Sequence, residues 1–169
     1  MASRAAHYRI SAALLGAAAL CVPGSALAAT AQSGTAQAQV LESIQFAVLL
    51  DMDFGKIAVG AAGGMVELDP GAGNRNCDPT LVCVGGFAMS RLQLSGSDAD
   101  VVVNFDPTFT LTGSGQAIVA EPQFPGGPGA VIHLSGGAAV VNFGARLHIN
   151  PNQAPGVYAG QFSVNLEYN

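Results

Sequence analysis

Gly156-Val157-Tyr158-Ala159-Gly160-Gln161-Phe162-Ser163-Val164-Asn165-Leu166-Glu167-Tyr168 settles the fold class more firmly than any other stretch of this chain. Tyr158, Gly160, Phe162, Val164, Leu166 and Tyr168 fall on one face of a two-residue period. Gln161, Ser163, Asn165 and Glu167 fall on the other. Such alternation predicts a half-buried strand over 157–168, with Tyr158, Phe162, Val164, Leu166 and Tyr168 facing the core.

Working back from this strand, the same grammar recurs. Arg146 to Ile149, Ala138 to Phe143, Val131 to Leu134, Ile118-Val119, Phe109 to Thr112, Val101 to Val103, Phe87 to Leu94 and Met65 to Leu68 read as short strands. Phe124-Pro125-Gly126-Gly127-Pro128-Gly129 and the stretch Asn74 to Pro79 read as loops. Val40 to Leu50 starts the series, with Val40, Ile44, Phe46, Val48 and Leu50 on one side. Asp53-Phe54-Gly55-Lys56 then turns into Ile57-Ala58-Val59. With 22 glycines and 9 prolines, and no sustained 3.6-residue period beyond the first segment, ordinary helices have no place. The expectation is an all-β, antiparallel β-sandwich or barrel.

Residues 1–28 read as a secretory signal peptide. Arg4 and Arg9 precede the apolar run Ile10 to Val22, and Ala26-Leu27-Ala28 supplies small residues for cleavage. The run is shorter than the roughly 20 residues of a membrane span, so no integral segment is expected after cleavage. Residues 29–39 form a polar arm, and 40–169 a β-sandwich domain. The mature chain would keep Lys56, Arg75, Arg91 and Arg146 against 11 acidic residues, so 4 − 11 = −7. An acidic balance without a basic run argues against nucleic acid as a partner. Cys21 leaves with the signal, and Cys77 and Cys83 remain as an exported pair. A disulfide is the first reading, with free thiols or metal ligation as alternatives.

The residue patterns of the common catalytic and metal motifs are missing. Ser95, Ser114 and Ser135 do not lie in a G-x-S-x-G frame. His133 and His148 read as strand residues. The C-x5-C and H-x14-H spacings fit no usual zinc frame. Asn74, Asn76 and Asp78 start like a calcium loop, but Pro79 and Gly85 stand where glycine and glutamate belong. Asp51/Asp53 and Asp98/Asp100 read as solvated turn residues. No cofactor, metal or catalytic residue is assigned, and the chain is not expected to be an enzyme.

The G-x-Y-x-G-x-F-x-V-x-x-x-Y ending, Asp53-Phe54-Gly55-Lys56-Ile57 and Asn142-Phe143-Gly144-Ala145-Arg146-Leu147 together resemble a secreted bacterial family of unknown function, DUF4402-like. That family is similar to spore-coat-U-type domains and chaperone–usher fimbrial subunits. The resemblance implies an immunoglobulin-like sandwich, exported to the periplasm, cell surface or exterior, with an incomplete sheet edge and a penultimate hairpin at 142–147. It also implies a non-catalytic structural subunit of a surface fibre or coat, assembled by β-strand addition with itself or other subunits, and a periplasmic chaperone as a further partner. Val40, Ile44, Phe46, Val48 and Leu50 are then candidate donor-strand knobs. The competing reading makes 40–50 the domain's own first strand, paired with Ile57 onward. A carbohydrate- or surface-binding module using loops 69–86 and 121–129 is the alternative function.

Overall fold

The computed structural model describes residues 35–169. The signal-peptide reading of 1–28, and residues 29–34 of the arm, lie outside the described residues. Gln39–Asn169 forms a compact unit built from strands and turns, all paired antiparallel.

Its organising element is β11 (Ala138–Ile149), the longest strand at 12 residues. The N-terminal half of β11 pairs with β6 (Ser90–Ser95), which pairs in turn with the edge strand β1 (Gln45–Leu50). The C-terminal half lies between β3 (Gly64–Asp69) and β9 (Ile118–Gln123). Beyond these come β4 (Asn74–Cys77) and β8 (Phe109–Leu111), completing a seven-stranded sheet. Two small sheets cover its inner face. One has the order β10 (Ala130–His133), β7 (Asp100–Phe105), β12 (Val164–Tyr168), and the other pairs β2 (Lys56–Val59) with β5 (Leu81–Val84).

The two-residue period of β11 explains why two cores share one strand. Its odd-numbered residues all face inward. Ala139, Val141 and Phe143 join Leu92, Leu94, Val101, Val103 and Leu134 in one apolar cluster. Ala145, Leu147 and Ile149 join Phe54, Val66, Leu68, Leu81, Ile118 and Ala120 in the other. Phe143 is the largest fully buried side chain. Its ring meets Phe124 at 4.6 Å, Phe105 at 5.5 Å and Phe162 at 5.6 Å between centroids.

Four sequence expectations are corrected here. Residues 142–147 are not a hairpin, and 138–143 and 146–149 are not separate strands. Gly144 sits inside continuous β11, where a Cβ would collide with the Leu68 carbonyl, so its glycine serves close approach and not a turn. The strand expected over 157–168 has a ladder only from Val164, with an isolated bridge between Ala159 and Thr112 upstream. Val40 to Leu50 does not pair with Ile57 onward. Only Gln45–Leu50 is strand, and it pairs with β6, because Asp53 exchanges backbone hydrogen bonds with Ala88 (2.9 and 2.8 Å) and carries the chain past β6. Finally, part of the expected cysteine loop is strand. Polar Asn74, Arg75 and Asn76 are tolerated because β4 lies at the sheet edge. Cys77 and Cys83 form a disulfide that ties β4 to β5.

A candidate strand-accepting cleft

The seven-stranded sheet is wider than its covers, and the mismatch is sharpest beside β1. In register, Phe46 lies opposite Leu94 and Val48 opposite Leu92, so these pairs share one face of the large sheet. Leu94 and Leu92 are 0% and 3% exposed, whereas Phe46 and Val48 are 53% and 55% exposed. Cover therefore stops between β6 and β1. The neighbouring cover sheet ends at β12, whose outer edge has no partner strand among the described residues.

An apolar cleft opens there. Its first part, about 730 Å³, is walled by Phe46 and Val48 on one side and by Phe162 and Val164 on the other. A second part, about 690 Å³, runs between β2 and residues 153–158 over Leu147 and Ile149. Met52, Phe54, Leu111 and Tyr158 line both parts. Within 157–163 only Ala159 joins a backbone bridge among the described residues, through reciprocal bonds with Thr112 of 2.9 and 3.0 Å. Gly160 lets the chain lie against the Thr110 carbonyl at this crossing, where any side chain would collide.

The expected C-terminal face is divided between the two cores. Phe162, Val164, Leu166 and Tyr168 pack on the cluster around Phe143, and Tyr158 packs on the cluster around Leu68. Tyr158 is half-buried, and its hydroxyl donates to the Ala154 carbonyl at 2.8 Å. The Tyr168 hydroxyl donates to the Glu42 carbonyl at 2.7 Å and accepts from the Ser97 N–H at 2.8 Å. Of the candidate donor knobs, Val40 is 94% exposed, Ile44 is half-buried against the Phe143 cluster, and Phe46, Val48 and Leu50 are exposed along β1.

Sequence reading missed two charged clusters, because their members come from separate strands. On the large sheet Arg146 faces Glu67 and Glu121 in register, at 2.7 and 3.5 Å, and His148 reaches Glu121 at 3.1 Å. His133 lies between Asp98 and Asp100 at 3.0 and 2.8 Å. Among the described residues, no group of three or more His, Cys, Asp and Glu side chains is placed to hold a metal ion. Nor is any helix there long and apolar enough to cross a membrane. The disulfide is compatible with an exported protein.

No curated protein and no solved structure matches the chain. A family model described as a domain of unknown function, DUF4402, matches residues 43–168, which takes in every strand from β1 to β12, and the chain belongs to that family.

Proposed function

We propose that the protein is a non-catalytic structural subunit of a bacterial surface fibre or coat, exported and assembled by β-strand addition. The observation that carries this reading is the exposure of Phe46 and Val48 on a face where their register partners are buried. A strand laid beside β12 would cover both side chains and pair with a free sheet edge. Unpaired edges are ordinarily blunted because they template further pairing, and strand addition turns that liability into a binding mode. If donor and acceptor surfaces differ, the contact is head-to-tail and yields a filament unless it closes into a ring. The resemblance to spore-coat-U-type and chaperone–usher subunits points the same way. It makes a neighbouring subunit the donor, and a periplasmic chaperone the temporary occupant before assembly.

Val48→Asp tests this directly. Val48 is exposed, so the folded monomer should keep its unfolding midpoint. A charge in the cleft should nevertheless block an apolar strand. Size-exclusion chromatography with light scattering should show oligomers for the native protein and monomers for the variant. Equal assembly of the two, or a native protein that stays monomeric at high concentration, contradicts the reading.

A further inference from the structure

His133 ends β10 and lies in register opposite Asp100 of β7. Its Nδ1 is 2.8 Å from the Asp100 carboxylate, and its Nε2 is 3.0 Å from the Asp98 carboxylate in the β6–β7 turn. A neutral imidazole carries one N–H and a carboxylate only accepts, so both contacts are hydrogen bonds only when both ring nitrogens are protonated. The second Asp98 oxygen accepts from the Gly136 N–H at 3.3 Å, which joins the β10–β11 turn to the same carboxylate.

The turn that Asp98 belongs to also holds the segment leading into β1. Ser97 Oγ accepts from the Glu42 N–H at 2.8 Å, and the Ser97 N–H donates to the Tyr168 hydroxyl, which donates on to the Glu42 carbonyl. Gly96 N–H reaches the Gly137 carbonyl at 3.0 Å, and Leu134 N–H reaches the Ala99 carbonyl at 2.9 Å. One short turn thus ties β10, β12 and the segment leading into β1 together.

We propose that His133, Asp98 and Asp100 form a proton-operated clamp that fixes the β6–β7 turn and, through Ser97, the chain leading into β1. With the imidazolium present, both carboxylates are held. Loss of the proton leaves one N–H. The strand-paired Asp100 keeps it, and Asp98 is left with the Gly136 N–H as its bond, so the turn is held less firmly. Among the described residues, the charged groups facing this site are all acidic. Asp98 comes from the turn, Asp100 from β7, and Glu167 of β12 lies one row away on the same outer face, opposite Val102. The β10–β11 turn, Ser135 to Gly137, contributes none. Among the described residues, no neighbouring cation therefore competes with the imidazolium.

The hydrogen bond that His133 donates to Asp100, chiefly, holds the His133 pKa above its ordinary 6.5. The sign follows. A histidine whose folded pKa is raised stabilises the clamp fully below 6.5 and loses that contribution as pH rises through the higher folded value. The group is open to solvent, so the effect is local to the turn and not a change in global stability.

The clamp stands on the monomer. Its bearing on assembly, as a control over how firmly β1 is seated beside the cleft, rests on the function proposed above. The test is an NMR titration of the dilute full chain, following the His133 ring and the amides of Ser97, Glu42 and Gly136. The ring should titrate above 6.5, and the three amides should shift with its midpoint. Asp100→Asn should lower that midpoint, and His133→Gln should leave a folded protein whose Ser97 and Glu42 amides no longer respond over this range. A His133 midpoint at or below 6.5, or amides that ignore the ring or still titrate in His133→Gln, overturns the clamp. Neither result bears on oligomerisation, so the two proposals fail separately.

Discussion

Replacing Phe143 with alanine should cost about 3–5 kcal/mol of folding stability, a large share of the roughly 5–15 kcal/mol that holds a domain folded. Phe143 is fully buried, and among the described residues it is the one ring in contact with all three of Phe105 of β7, Phe124 after β9, and Phe162 ahead of β12. Its loss leaves a cavity that rigid neighbouring rings close poorly, so the cost should sit at the upper end of the range for large-to-small core changes. The same substitution removes the wall that holds Phe162 at the mouth of the cleft, so assembly should weaken as well. Urea unfolding followed by far-ultraviolet circular dichroism reads the first effect. A loss below about 1 kcal/mol would mean that the ring cluster contributes little and that the covers are held mainly by their ladders.

Gly144→Ala is the second large effect, and it comes from adding atoms. The new methyl group would collide with the Leu68 carbonyl and approach the Pro70 ring, whose Cδ would be 2.8 Å away. Leu68 is buried and belongs to β3, whose ladder to β11 runs from Glu67 opposite Arg146 to Gly64 opposite Ile149. A backbone oxygen cannot rotate aside as a side chain can. The two strands must separate locally, and the cost should reach about 3 kcal/mol or more, at the high end for overpacking. A stable protein with an unchanged unfolding midpoint would show that β3 yields here, and that close approach is not why glycine stands at 144.

These two adjacent residues also show where the sequence speaks and where it is silent. Alternation made strands legible one by one, because period two is a local property. The C-terminal pattern was readable for that reason and the β-branched Val101–Val103 run from its composition, while Ala138–Phe143 and Arg146–Ile149 were readable as strand but not as parts of one. Gly144-Ala145 reads locally as a break, yet its meaning depends on Leu68, some 76 residues earlier in the numbering. Likewise the alternation of 157–163 is genuine, but among the described residues it forms no ladder beyond the single Ala159–Thr112 bridge, and a pattern of side chains cannot report a missing ladder. The cysteine pair was legible from its spacing and from the expectation of export. The cleft was not, since Met52, Phe54, Leu111 and Tyr158 meet only when β2, β8 and the C-terminal segment converge. His133 read as an ordinary strand residue because Asp98 and Asp100 reach it across a turn and a register that the sequence does not display.

The proposed function rests on a simple imbalance, with one sheet too wide for its cover. Hydrogen exchange of residues 157–163 and of the outer edge of β12, compared between monomer and assembled material, tests it most directly. Strand addition predicts amides that exchange fast in the monomer and become strongly protected on assembly, with β3 and β11 unchanged. Assembled material in which 157–163 and β12 exchange as fast as in the monomer would show that the subunits meet elsewhere and that the cleft takes no strand.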